Sequence, residues 1–355
     1  MKVALISTND GFFGPVEKAL IERGHEIGKY RAQIEFANGF QVGTLMQWAD
    51  LVFVDFCQDP LDRVLAHANR TDLAIVARMH RLEIYSALVE SDKVPWDRVD
   101  TLFVSAEHVL DRFMEKRAGK SKPAEIVLAP TNTVDERFKF VERTWKPPFR
   151  ICLAGNFVPK KRQYTLIQMM HDVRKEYGDD FHLDIVGARG MWSGYGNVEY
   201  FQNCQDLIQD LGLEANVSIF DKISHEQMPG FFGREHIIVS NSNEEGTHVS
   251  IAEAAATGCF AFVNAWRGAQ KVYPEPAAWS FRSPGEFMDC LRRFLVCVEL
   301  GKAGEQSEGH SKWVHTTLGD PERYSRMVTV MEETVKRRKA FAAQPPVAVV
   351  QGVAP

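Results

Sequence analysis

The chain has 355 residues, 45% of them hydrophobic and 25% charged, with 25 Gly and 16 Pro, a composition that excludes a disordered or fibrous protein. At roughly 100–200 residues per domain the length accommodates two domains, each able to bury its own core. The formal charge of -5, from 42 Lys+Arg against 47 Asp+Glu, excludes a broad basic face for duplex nucleic acid, and no nucleic-acid partner is expected.

In chain order, residues 3–7 are expected as a buried strand, 9–15 as a turn, and 16–23 as a helix stopped by Gly24. Apolar runs at 51–56, 73–77, 101–105 and 126–129 follow, with a helix at 106–116. Short all-apolar strands alternating with helices imply a parallel sheet covered on both faces, a Rossmann-like first half. Residues 143–149 hold Pro147 and Pro148 among charges and aromatics and break the alternation as a linker would. A second alternation begins at once: strands at 150–154, 182–186, 217–220, 237–240 and 260–264, with helices near 162–176, 201–211 and 249–257. The expected architecture is α/β, two Rossmann-like doubly wound parallel-sheet domains facing across a cleft, where ligands gather at the carboxyl ends of the strands. The expected bounds are 1–145, 146–320, a helix at 321–341 that crosses back to the first domain, and a flexible tail at 342–355.

Cys57, Cys152, Cys204, Cys259, Cys290 and Cys297 form no C-x-x-C pair and read as reduced core residues. The N-terminal apolar run lacks a small-residue cleavage site, and no window reaches the roughly 18 apolar residues of a spanning helix. A cytoplasmic protein, with peripheral contact at the inner face of a membrane admitted, is expected.

The most informative stretch runs from Ser240 to Gly258, where a strand ends, a loop turns at Gly246 and a helix begins. The amides at Thr247, His248 and Val249 form a helix start suited to an anion, and Gly246 admits a phosphate close to the backbone. Glu245 lies in the loop and Glu253 about two turns into the helix. One carboxylate near phosphates and one on the hydroxyls of a ribose would suit a sugar nucleotide. The plainer alternative makes Glu245 a charge complementing the helix dipole and Glu253 a solvated helix residue. Glu253 sits among Ile251, Ala252, Ala254, Ala255 and Ala256, where a carboxylate needs partners, which favours the functional reading.

These residues resemble the retaining glycosyltransferases of the GT-B fold whose signature is Glu, seven residues, Glu, a family 4-like set known as glycosyl transferases group 1. Glu245 and Glu253 match the signature, as do Ser242, Gly246, Ala254, Ala256 and Gly258 around it. The resemblance runs collinearly from Arg23-Gly24-His25 through the Pro130–Phe138 segment, where Thr133 stands at a usual Gly. It implies that Gly155, Asn156, Lys160 and Lys161 form the loop holding the donor diphosphate, with Asn156 where an Arg is usual; Lys160 or Arg162 would then compensate. It places Gly187 near the nucleotide and Lys222 and Ile223 in the base-contacting segment, with UDP and GDP both open. It makes Glu245 and His80 the catalytic pair, His80 holding a sugar hydroxyl or helping the acceptor lose its proton. Gly11, Phe12, Phe13, Gly14, Arg78 and Glu83 fall on the acceptor or sugar side. Trp266 either stacks on the donor or packs in the core.

The activity implied is transfer of a sugar from a nucleoside diphosphate sugar to a hydroxyl acceptor, carbohydrate or lipid-linked, with retained configuration. It suits bacterial-type surface glycan or glycoconjugate synthesis. The chain has no Asp-x-Asp motif, and no metal or other cofactor is expected, helix amides and Lys161 carrying the leaving charge. The rivals are a degenerate GT-B nucleotide-binding or partner protein without turnover, and a GT-B-fold sugar-nucleotide epimerase. The missing G-x-G-x-x-G after the first strand argues against a plain NAD dehydrogenase.

Overall fold

The computed structural model describes residues 1–7, 10–31, 39–57, 59–92, 94–130, 134–190, 197–275, 277–320 and 322–343, with the side chains of 10–13, 31, 39–41, 59 and 88 left undescribed. The chain divides into two compact units, Met1–Pro130 with Pro321–Pro355, and Thr131–Asp320.

The first unit runs β1 (Lys2–Ser7), α1 (Asp10–Glu22), β2 (Glu26–Arg31), α2 (Gly39–Trp48), β3 (Leu51–Asp55), α3 (Asp59–His67), β4 (Ala74–Met79), α4 (Ala87–Glu90), β5 (Thr101–Val104), α5 (Glu107–Lys116) and β6 (Glu125–Leu128). Its strands pair in parallel in the order β2-β1-β3-β4-β5-β6. Every residue of β3, β4 and β5 is buried, because helices cover both faces; the charged Asp55 and Arg78 among them pair with each other.

The second unit runs β7 (Phe149–Ala154), α6 (Gln163–Tyr177), β8 (Phe181–Val186), α7 (Val198–Asp210), β9 (Val217–Phe220), α8 (Met228–Gly233), β10 (Ile237–Ser240), α9 (Val249–Ala256), β11 (Phe260–Asn264), α10 (Ala269–Val272), β12 (Trp279–Phe281), α11 (Pro284–Glu299) and α12 (Ala303–Thr317). Its parallel order is β12-β11-β10-β7-β8-β9. Successive strands add outward in opposite directions from β7 and β10, so the order reverses between those two, the place where doubly wound sheets take ligands.

The last helix, α13 (Arg323–Ala342), belongs to the first unit. Val328, Met331 and Val335 join the core formed by β1, β3 and β4. Polar ties frame that packing: Glu332 meets Arg23 at 2.6 Å and His25 at 2.9 Å, and Lys339 meets Asp50 at 2.7 Å. The division at 130/131 rather than 145/146 has a direct cause. The Val141 N–H bonds the Thr257 carbonyl at 3.0 Å, and the Arg143 guanidinium donates to the carbonyls of Glu235, Thr257 and Phe232. Trp145 packs edge-on to Phe260 and Phe294. The segment expected to close the first domain is thus fastened to the second.

The turn expected at 9–15 is helix from Asp10 onward. Pro15 forfeits only one ladder bond near that start. All six cysteines are free, five of them buried and Cys297 half-buried. No helix among the described residues is long and apolar enough to cross a membrane. Thr133 and residues 344–355 of the expected tail lie outside the described residues.

Candidate active site

The second unit gathers its polar residues where β7 and β10 end. After Ala154 the chain passes through Gly155 and Asn156 to a short 3-10 turn, Pro159–Lys161, that leads into α6. A side chain at Gly155 would press on the Lys161 stem, meeting Cε at 3.2 Å, so glycine there lets Lys161 lie back across the strand end. Lys161 Nζ reaches Glu245 Oε1 at 2.6 Å and His248 Nε2 at 3.1 Å. His248 Nδ1 pairs with Ser240 Oγ at 2.6 Å. The four side chains form one line across the β7–β10 switch.

Electrostatics follow from that contact set. Burial alone would raise the Glu245 carboxyl, but the charge His248 carries in the acid range where the carboxyl titrates, the Lys161 charge, and hydrogen bonds from Lys161 and Ser242 hold it well below the usual carboxylate range. Burial, reinforced by the Lys161 charge, pushes His248 down to about 4, so its imidazole is neutral near pH 7. Tyr273 buttresses the helix start, its hydroxyl donating to the carbonyls of Thr247 at 2.7 Å and His248 at 3.0 Å.

Glu253 sits on α9, nearly buried, and its Oε1 meets His225 Nε2 at 2.6 Å. His225 Nδ1 in turn lies 3.0 Å from Arg137 Nη2, and Arg137 is clamped on both oxygens of Asp135 at 2.8 Å. The hydrogen bond to Glu253 raises the His225 pKa, burial working against it. His225 lies in no motif, and Arg137 lies in the Pro130–Phe138 segment with no role assigned; their link to Glu253 is found only through the tertiary contact.

Other expected donor residues occupy the same strand ends with plainer roles. Asn156 Oδ1 accepts from the Ala188 N–H at 3.3 Å, and Gln163 donates to the Asn156 carbonyl at 2.8 Å. A Cβ on Gly187 would lie 2.1 Å from the Gly155 carbonyl, so this glycine answers a backbone approach between two loops. The Lys160 carbonyl accepts from Asn243 N–H at 2.9 Å, linking the two loops. Lys222 is exposed, Ile223 packs against the core, and Gly246 is half-buried beside the helix start with Val249. Trp266 is buried in the core under α9, which decides for packing.

In the first unit the ends of β3 and β4 hold a second cluster. Asp55 and Arg78 are register partners and join in a two-pronged bond, both contacts 2.8 Å. His80 Nε2 meets Asp55 Oδ1 at 2.9 Å, and the His80 ring stacks on Phe56 with centroids 4.3 Å apart. The backbone N–H of His80 donates to the Glu83 carboxyl. Burial raises Asp55, yet the Arg78 charge and bonds from His80 and Arg78 bring it far below the usual range. Burial lowers His80 and pushes Glu83 up to about 8, so Glu83 is a neutral acid near pH 7. Arg78 and Glu83, expected toward an acceptor, have no exposed surface; what they hold is Asp55 and the His80 backbone. Asp55 was missed in the sequence, though an acid ending an all-apolar strand is the signal that finds it. Gly11, Phe12 and Phe13 lie in α1 with side chains outside the description, and Gly14 faces open space.

Two six-stranded parallel-sheet units of this topology make up the GT-B fold. Solved structures share the fold. Sucrose-phosphate synthase of Thermosynechococcus elongatus aligns with a TM-score of 0.76 at 14% identity, over 97% of this chain and 100% of that one. HepE of Anabaena, solved with UDP and glucose, aligns with a TM-score of 0.71 at 12% identity, over 94% and 100%. A glycosyltransferase of Rickettsia africae aligns at 0.70 and 11%, over 94% and 98%. No curated protein matches the chain by sequence. Residues 134–276, a segment that contains Lys161, Glu245 and Glu253, match the family of glycosyl transferases group 1.

Proposed function

We propose that the protein transfers a sugar from a nucleoside diphosphate sugar to a hydroxyl acceptor with retention of the anomeric configuration. The observation that carries this reading is the Lys161–Glu245–His248 line beside the start of α9, with Glu253 further along the same helix. A diphosphate would take the Lys161 ammonium and the helix-start amides, charge-assisted donors already in place. Glu253 would accept the ribose hydroxyls on the oxygen His225 leaves open, and Glu245 would contact the donor sugar.

In the reaction the bond from the anomeric carbon to the diphosphate oxygen breaks and a bond to the acceptor oxygen forms on the same face. The acceptor proton leaves with the diphosphate. Lys161 and the amides stabilise the charge that grows on the leaving oxygen, and no metal is invoked. His80, oriented by Asp55, serves a sugar or acceptor hydroxyl. UDP is the favoured carrier, because HepE is described with UDP and glucose; GDP is the alternative. The acceptor is assigned to carbohydrate or lipid-linked hydroxyls in glycan synthesis, in the cytoplasm or peripherally at a membrane.

Calorimetric binding of UDP, GDP and ADP to the wild type and to Glu253→Ala tests the reading. Selective binding that weakens in the variant supports it; folded wild type that binds none sinks it. A second reading, binding without turnover, draws on Asn156, a neutral side chain whose Oδ1 accepts from the Ala188 N–H where a second cation would strengthen the clamp. Release of UDP from UDP-glucose or another labelled donor separates the two.

A further inference from the structure

Three non-glycine residues among those described have left-handed backbones: Phe56 at φ 74°, Arg162 at φ 54° and His248 at φ 45°. All three stand at the strand ends just described. Phe56 stacks on His80, Arg162 follows Lys161, and His248 opens α9. A side chain in this region clashes with its own backbone, and glycine would relieve the clash. Such strain persists where the surrounding structure holds it and the side chain is used.

For His248 the use is visible. The imidazole is buried and spans two partners, Ser240 on Nδ1 and Lys161 on Nε2. An ammonium can only donate, so Nε2 must be the unprotonated nitrogen, and Nδ1–H then donates to Ser240 Oγ. Ser240 Oγ, accepting from Nδ1–H, holds the ring in the orientation that lets Nε2 accept from Lys161. Of the three Lys161 N–H groups, one goes to Glu245 and one to His248; no further Lys161 partner occurs among the described residues. The third is left for a ligand. A flexible four-carbon stem that would otherwise sample many rotamers is tied at its tip.

We propose that His248 is a positioning residue, kept in a strained backbone because its imidazole, set by Ser240, aims the Lys161 ammonium at the donor's diphosphate. This deepens the transferase reading and rests on Lys161 being the diphosphate ligand. The contact is made by the side chain, so it is separate from whatever the His248 backbone amide contributes at the helix start.

The test compares UDP with uridine, with GDP and guanosine and ADP and adenosine run in parallel. Binding to wild type, His248→Gly, Ser240→Ala and Ser240→Thr is measured by calorimetry, with weak nucleosides read by ligand-observed NMR. His248→Gly keeps the left-handed backbone but loses the buried ring, so its melting temperature is measured alongside and must leave the variant folded at the assay temperature. Its affinity for the diphosphate should fall about tenfold or more, as for loss of a hydrogen bond to a charged group, while nucleoside affinity holds. Ser240→Ala should lose a smaller part of the diphosphate affinity, and Ser240→Thr, which keeps the hydroxyl, should retain it. Unchanged diphosphate binding by His248→Gly, or an equal loss for nucleoside and diphosphate, would overturn the role of His248 and leave the transferase reading standing. Wild type that binds no nucleoside diphosphate would overturn both.

Discussion

The two units end their central strands in buried cation–carboxylate pairs that are built differently. In the first, Arg78 and Asp55 share two bonds of 2.8 Å with side chains 0% and 1% exposed. In the second, Lys161 meets Glu245 at a single 2.6 Å contact, shares itself with His248, and the pair is 14% and 10% exposed. A planar fork gripping both carboxylate oxygens in the interior is locked. A point charge held at one contact, reachable from outside, can trade partners for an incoming anion. The Arg78–Asp55 pair is therefore fixed beneath His80, and the Lys161–Glu245 pair has the exposure that the proposed diphosphate contact requires.

The largest effect should come from breaking the locked pair. Asp55→Ala leaves the Arg78 charge buried and uncompensated, so the free energy of unfolding in urea should fall by about 3–5 kcal/mol. Glu245→Gln should cost clearly less, because Lys161 keeps His248 and some access to water. Equal losses for the two variants would erase the contrast.

Next in size is the ligand side of the comparison. Lys161→Met should weaken UDP binding by about 2 kcal/mol, roughly 30-fold, as for a charge-assisted hydrogen bond, with little change for uridine. A melting temperature that collapses with the binding would reassign Lys161 to scaffolding.

Glu83 sharpens the first unit through pH. Its carboxyl is raised to about 8 in the folded protein, burial being the main cause, so the folded state holds a proton that the unfolded chain releases near the ordinary Glu value. Stability from this group is present at acid pH and declines as pH rises from about 4.5 toward 8. Glu83→Gln keeps an acceptor for the His80 N–H and should flatten that decline, read from melting temperatures at pH 5 and pH 8. Parallel curves for the two proteins would mean that Glu83 is ionised in the fold.

The smallest effect concerns His225, raised by its bond to Glu253. Its contribution should be complete below the unfolded histidine value near 6.5 and disappear as pH rises through the higher folded one. The melting-temperature difference between wild type and His225→Gln should shrink from pH 6 to pH 9.

The parts of this protein legible in its sequence are those written in local pattern. Runs such as Leu51–Val54 and Ile237–Val239 mark strands covered on both faces, since only apolar side chains suit that position. The Glu245–Glu253 spacing, with its loop glycine and small helix residues, marked the loop and helix that the structure brings beside Lys161. Misreadings arose where local chemistry has two outcomes. Gly11 and Pro15 punctuate a turn or open a helix, and Pro147-Pro148 marks a linker or a strand entry. Arg143, reaching into carbonyls more than ninety residues away in sequence, decides that the chain before the prolines belongs to the second unit.

Sequence by itself determined the two parallel sheets, the strand-end loops and the carboxylates of the signature, because covalent spacing and hydrophobic period reach only along one element. Tertiary structure alone decided the partners: Asp55 beside Arg78 through strand register, His225 on Glu253, and His248 between Ser240 and Lys161. Those pairings join residues from separate elements, and a hydrogen bond of 3 Å exists only once packing has brought both ends to the same place.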